Sequence, residues 1–189
     1  MQSTEPEIWK PVIGHEGRYE VSDLGRVRSV DRLVDARPGV RRAALVIRGG
    51  QAAELVASGD APDAPVRGLG AYLHEPEGAV IRARLIGEVA RTIGAGMLDQ
   101  RIAYLTSDAP ASSPFVHSFR VREQLPNDVK ALGRALRDRG IGTLEIKKRG
   151  VDLDPAVLRT KLKLSGAESA TLFVTRIGNT RTTLLADRV

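Results

Sequence analysis

The 189-residue sequence predicts an α+β protein, with a small β-rich N-terminal module ahead of a larger unit of strands and about three helices. Three observations carry this. Several short runs alternate apolar with polar residues, the period of a half-buried strand. Three longer runs repeat apolar residues every three to four positions, the stripe of a core-facing helix. Gly-Gly and Gly-Asn steps between strand-like runs mark hairpins.

Residues 1–32 read as the first module. Arg18–Ser22 and Arg26–Val30 are two short strands joined at Asp23-Leu24-Gly25, with Arg26 and Arg28 on one face and Val27 on the other. Trp9 and Tyr19 supply a minimal core. Residues 33–40, of mixed charge with Pro38-Gly39, read as a linker, and 41–189 as the larger unit.

That unit opens with a hairpin, Ala43–Arg48 and Ala52–Ala57, closed by Gly49-Gly50-Gln51, followed by a loop over Gly59–Gly70. Ala71–Gly94 reads as one segment that turns helical on the recurrence of Ile81, Leu85, Val89 and Ile93. Glu75 and Glu77 fall at its start, where the helix dipole favours acids. Arg101–Thr106 and Phe115–Glu123 are strands. A second helix runs from Pro126-Asn127-Asp128 to Gly140 on Val129, Leu132 and Leu136. Thr143–Lys147 is a strand, and Pro155–Leu164 a third helix with Asp154 as its cap. Ala170–Ile177 and Thr180–Ala186 close the chain around Gly178-Asn179; the first is apolar on both faces, so it should be central.

Net charge is +6, and its place in the chain is informative. Ser118–Lys163 holds twelve Lys or Arg against six acids, which accounts for the whole surplus. Within it, Lys147, Lys148 and Arg149 end a strand beside a helix start, while Lys130, Arg134 and Arg137 line one helix face. Such a surface suits a phosphate backbone; a solvated strand end reads equally well for the first cluster, and a solvated face is the usual meaning of the helix stripe, though this one leads directly into the Lys147–Arg149 strand. With three Tyr, three Phe and one Trp in the chain, backbone contact is expected over base stacking.

Other chemistry is poorly supplied. There is no cysteine, which excludes disulfides, thiolate metal sites and cysteine catalysis. Glu75 and Glu77 lack a partner nucleophile, and Gly68-x-Gly70 and Gly94-x-Gly96 lack the rest of a dinucleotide loop. No apolar run approaches the roughly 18 residues that span a bilayer. A soluble, cytoplasmic protein with no membrane partner is the expectation.

Two stretches resemble known families. The run W-K-P-V-I-G-H-E-G-R-Y-E-V-S-D-L-G-R-V-R-S resembles the NUMOD-type DNA-binding module found beside HNH homing endonucleases. That likeness implies DNA contact, with Arg26 and Arg28 as backbone contacts. His15, His74 and His117 do not have the spacing of the nuclease metal site. From residue 41 onward, A-Y-L-H-E-P-E-G-A-V-I-R-A, R-I-A-Y-L-T, L-E-I-K-K-R-G-V-D-L-D-P and A-T-L-F-V-T-R-I resemble the THUMP-like C-terminal domain of bacterial class I SAM-dependent methyltransferases. This second likeness implies a mixed sheet and a domain that presents RNA to a catalytic domain. It gives Lys147, Lys148 and Arg149 a nucleic-acid role and Glu75–Gly78 a structural one. The methyltransferase catalytic sheet does not fit in about forty N-terminal residues. No catalytic, metal or cofactor site is expected here, and SAM would enter only through a partner catalytic subunit. The alternatives are a supporting subunit or fragment of such an enzyme, and a DNA-binding module associated with an endonuclease.

Overall fold

In a computed structural model, the structure describes residues 7–29, 41–58 and 62–189. The expected linker, 33–40, lies outside the described residues.

The N-terminal module is a three-stranded antiparallel meander, β1 (Trp9–Pro11), β2 (Tyr19–Ser22) and β3 (Val27–Ser29). Its turns place Gly14, Gly17 and Gly25 at positive φ. The hairpin of β4 (Arg41–Arg48) and β5 (Gln51–Ser58) is a separate two-stranded sheet. Ala44, with Leu55 and Ala57, packs one of its faces into the core beneath Val80, Leu85 and Val89.

The rest is a seven-stranded mixed sheet. Its strands are β6 (Tyr72–Pro76), β7 (Gly96–Asp99), β8 (Ile102–Ser107), β9 (Val116–Leu125), β10 (Ile141–Lys148), β11 (Glu168–Ile177) and β12 (Thr180–Arg188). They lie in the order β10-β11-β12-β9-β6-β8-β7. Among these seven strands, only β10 and β11 pair with each other in parallel, through a crossover that carries a helix. The helices are α1 (Gly78–Arg82), α2 (Ile86–Thr92), α3 (Val129–Asp138) and α4 (Pro155–Leu162).

The segment expected to turn helical over 71–94 differs from that reading. Its first five sheet residues form β6, in the middle of the sheet, and the helix is broken in two. Arg84 sits in the left-handed region at φ 57 between α1 and α2. The break lets Val80 and Leu85 both reach the core, where each is fully buried. Glu75 therefore lies on a strand. Glu77 takes the N-cap position of α1 but makes no side-chain cap bond.

The sheet curls strongly. Five strand steps separate β11 from β7, about 24 Å in a flat sheet. Yet Asp99 at the end of β7 accepts a hydrogen bond from the Gly178 N–H in the β11–β12 turn at 2.7 Å. The concave side encloses Leu73, Tyr104, Phe119, Phe173 and Leu184. Phe173 stands edge-on to Tyr104 and Phe119, at 5.4 and 4.8 Å between ring centres. The convex side is covered by α3 and α4 over Leu132, Leu136, Leu158, Leu162, Leu172 and Val174.

His74 on β6 is fully buried between Ser118, 2.9 Å from Nδ1, and Ser107, 2.8 Å from Nε2. Ser107 and Ser118 Oγ also lie 2.6 and 2.8 Å from Ala109 O and Ala111 O in the loop between them; the neutral ring has one N–H, so one hydroxyl turns its proton to the unprotonated ring nitrogen and the other to its carbonyl. Burial pushes the imidazole pKa down from 6.5 to about 4. As pH falls, the unfolded chain therefore takes up this proton first. Stability should drop by on the order of 3 kcal/mol between the two pKa values and level off below the lower one. Urea unfolding midpoints from pH 7 to 4 measure it, and His74→Gln should flatten that part of the profile.

Candidate nucleic-acid interface

Strand β10 decides where the cluster at its end points. After an irregularity between Ile141 and Thr143, its side chains alternate strictly. Leu144 and Ile146 enter the helix-covered core. Glu145 and Lys147 turn to the concave side. Lys148 falls on the helix side and Arg149 returns to the concave one. The pleat thus splits three consecutive cations between two faces.

On the concave side they meet acids. Lys147 Nζ donates to Glu75 at 2.7 Å and stands 3.1 Å from Glu145, and its side chain is only 16% exposed. It also lies 5.6 Å above the Phe119 ring. Arg149 approaches Glu75 at 3.9 Å and covers the Tyr104 ring at 5.0 Å. Arg188 at the end of β12 pairs with Glu145 at 3.3 Å and reaches His117 Nδ1 at 3.1 Å. His117 in turn stands 3.0 Å from Glu77, which also holds Arg48.

The electrostatics follow from these contacts. Burial works against the Lys147 ammonium, but hydrogen bonds with Glu75 and Glu145 outweigh it and raise its pKa. Burial likewise works against the Glu145 carboxylate, and Lys147 and Arg188 outweigh it and hold its pKa low. Tyr104 is pushed up to about 12, by burial first and then by the Glu75 charge.

The helix side is different. Lys130, Arg134 and Lys148 are exposed there, as are Arg159, Lys161 and Lys163 around the end of α4. None of the six has an ion pair or side-chain hydrogen bond with a described residue. Two nearby acids are engaged as N-caps: Asp128 accepts from Ala131 N at 2.9 Å, and Asp154 from Ala156 N at 2.8 Å. Helical spacing sets Lys130, Arg134 and Arg137 on the flank of α3 beside Gly133, the residue that meets α4. A Cβ on Gly133 would stand 2.9 Å from Leu162 O, so the helices touch backbone to backbone there. Arg137 clamps that crossing by donating to Leu162 O at 2.7 Å.

In the N-terminal module, Arg26 pairs with Glu7. Arg28 pairs with Glu20 at 2.6 Å and stacks 4.2 Å over Trp9. The structure therefore brings Lys130, Arg134 and Lys148 to one helical side and directs Lys147 and Arg149 to the other. Arg137 lies at the helix crossing, and Arg26 and Arg28 lie on the separate meander. Sequence reasoning did not single out Arg159, Lys161 and Lys163 as contacts. Their signal was the basic last turn of the helix capped by Asp154.

Among the described residues, no group of three or more His, Asp or Glu side chains is arranged to hold a metal ion. No described helix is long and apolar enough to cross a membrane.

Comparison with known proteins adds three findings. Residues 116–188 match the model of the THUMP domain-like family, and residues 7–50 match the NUMOD4 motif, which runs through β4. The chain is 36% identical over 169 residues to uncharacterized S-adenosylmethionine-dependent methyltransferases from two Mycobacterium tuberculosis strains, CDC 1551 and H37Rv. Each match covers 88% of this chain and 46% of the relative, so the chain spans less than half the length of these proteins. A crystal structure of a candidate methyltransferase from Porphyromonas gingivalis W83 superposes with a TM-score of 0.69 at 23% identity. It covers 86% of this chain and 41% of that one, and it supports the fold. The chain thus carries a segment matched by the THUMP domain-like family behind a segment matched by the NUMOD4 motif, the two likenesses visible in its sequence.

Proposed function

We propose that the protein is a non-catalytic, nucleic-acid-binding accessory unit of the methyltransferase type that contacts RNA through a basic, backbone-binding surface. One observation carries this reading: six cations around the α3–α4 crossing are exposed without a carboxylate partner among the described residues. Lys130, Arg134 and Lys148 are its first contacts. Arg137 holds the crossing, and Lys147 and Arg149 support the strand end that presents Lys148. RNA is favoured because the larger unit, residues 41–189, carries the surface. Residues 1–32, with Arg26 and Arg28, form a second anchor across the 33–40 linker, with DNA as its natural ligand. The reading places the protein in the cytoplasm.

A second reading has its own support. The chain spans 46% of its methyltransferase relatives, which favours a supporting subunit or fragment that works beside a SAM-dependent catalytic domain. SAM would then be bound by that partner. Gain of SAM-dependent methylation on adding such a partner would test it.

The primary test is a salt titration of binding to structured RNA, duplex DNA and single-stranded DNA of matched sequence. Phosphate contacts through several cations should give a log–log slope of about −3 or steeper. A flat dependence sinks the proposal. Preference for duplex DNA would move the weight to the N-terminal module.

A further inference from the structure

We infer that Glu54 of the β4–β5 hairpin holds the N-terminal module in a state closed to nucleic acid, its carboxylate standing where a backbone phosphate would bind. This rests on reading the first module as a nucleic-acid contact, and it adds the control of that contact.

Two donors and a nearby imidazole from the module converge on this one side chain. Tyr19 donates its hydroxyl to Glu54 Oε1 at 3.0 Å. Arg18 Nη1 donates to Oε2 at 3.3 Å, and His15 Nδ1 stands 3.6 Å from the same oxygen. A guanidinium, a phenol and an imidazole around a single anionic group form the kind of donor set that proteins turn towards a phosphodiester. Both anions carry one negative charge, so a phosphate can replace the carboxylate one for one.

Glu54 is built into its place. It lies opposite Leu45 in the hairpin register, on the face turned away from α1, and its side chain is only 12% exposed. Leu45 beside it is 7% exposed. Arg18, at 51%, remains open to solvent on its outer side, so an incoming phosphate can reach it before the carboxylate leaves. The module's other arginines are held in the same way, Arg26 by Glu7 and Arg28 by Glu20. Over residues 7–29 four acids (Glu7, Glu16, Glu20, Asp23) balance four cations (Lys10, Arg18, Arg26, Arg28). In this closed form the module therefore offers no net attraction to a polyanion. Its affinity depends on exchanging carboxylates for phosphates, and among the described residues Glu54 is the one supplied by the larger unit.

The test uses the full chain with Lys130→Glu/Arg134→Glu/Lys148→Glu as background, so that helix-side binding is weakened and the Arg18-dependent part of what remains reports the module. Matched duplex DNA and duplex RNA serve as probes, and the one that responds identifies the source of the phosphate. Glu54→Gln is expected to tighten binding about fivefold, the upper range for a partly exposed ion pair. It should also steepen the log–log salt slope by about one. Adding Arg18→Gln should cancel both gains. Trp9, the chain's only tryptophan, reports by its emission whether the module stays folded. If Glu54→Gln disturbs that emission, Glu54→Asp gives the decisive reading, because it keeps the charge but withdraws it from Arg18 and Tyr19. Unchanged affinity in a folded variant overturns the inference, as does a gain that survives the loss of Arg18. Failure of the helix-side surface to bind RNA in the parent chain would instead count against the proposed function alone.

Discussion

Lys147→Glu is expected to destabilise the folded chain by about 3–5 kcal/mol, the usual cost of breaking a buried ion pair from one side. The substitution would place a third carboxylate between Glu75 and Glu145, at a site where the present side chain is 16% exposed and touches both acids. The same ammonium also lies over the Phe119 ring, so a negative group there meets the negative face of the π system as well. At this chain length the loss corresponds to a drop in Tm on the order of 10 °C. Lys147→Met, which removes the charge and keeps the volume, should cost less, because it adds no third carboxylate and leaves Arg149 near Glu75 and Arg188 paired with Glu145. Thermal melts of the two variants decide the matter; a Lys147→Glu melt within about 2 °C of the parent would show the network to be solvated and dispensable. A binding loss in this variant therefore reports stability before it reports contact.

The clean binding test lies on the other side of the strand. Lys130→Glu/Arg134→Glu/Lys148→Glu is expected to lower affinity for structured RNA about a hundredfold or more at physiological salt. It should also reduce the magnitude of the salt slope by about three. All three side chains are exposed and outside any ion pair with described residues. Each change should therefore alter stability by no more than about 0.5 kcal/mol. Unrelated RNA sequences should suffer alike, because a phosphate contact carries no base information. A loss confined to one sequence would refute backbone binding, and an unchanged slope would remove this face from the interface.

Much of the fold was legible because local rules and tertiary packing agree. Asp154 reads as a cap and acts as one, and Asp128, in the triplet read as the start of the second helix, caps α3. The Gly178-Asn179 hairpin lies where its dipeptide predicts, and the apolar segment before it is paired on both sides within the sheet. β6 was not legible. Tyr72–Pro76 carries His and Glu at positions that the fold buries or half-buries, and both are satisfied by partners far along the chain. His74 meets Ser107 and Ser118, and Glu75 meets Lys147. No local pattern announces such pairings. The continuous apolar spacing over 81–93 hid the left-handed Arg84 for the same reason. The basic cluster was visible as charge, but its division between two faces follows from the pleat and from the curl of a sheet whose closure is a long-range property.

The position of β12 bears on how the protein is made. Residues 180–188 supply the strand between β11 and β9. Until they leave the ribosome, β10–β11 and β9–β6–β8–β7 are two separate ladders with no edge in common. The aromatic residues gathered around Phe173 remain divided between them, and each half exposes a long unpaired edge. Non-local pairing of this kind forms slowly and leaves such edges open to other chains. The sheet therefore closes only when β12 arrives, and the interval before that leaves both ladders open to chaperones and to aggregation.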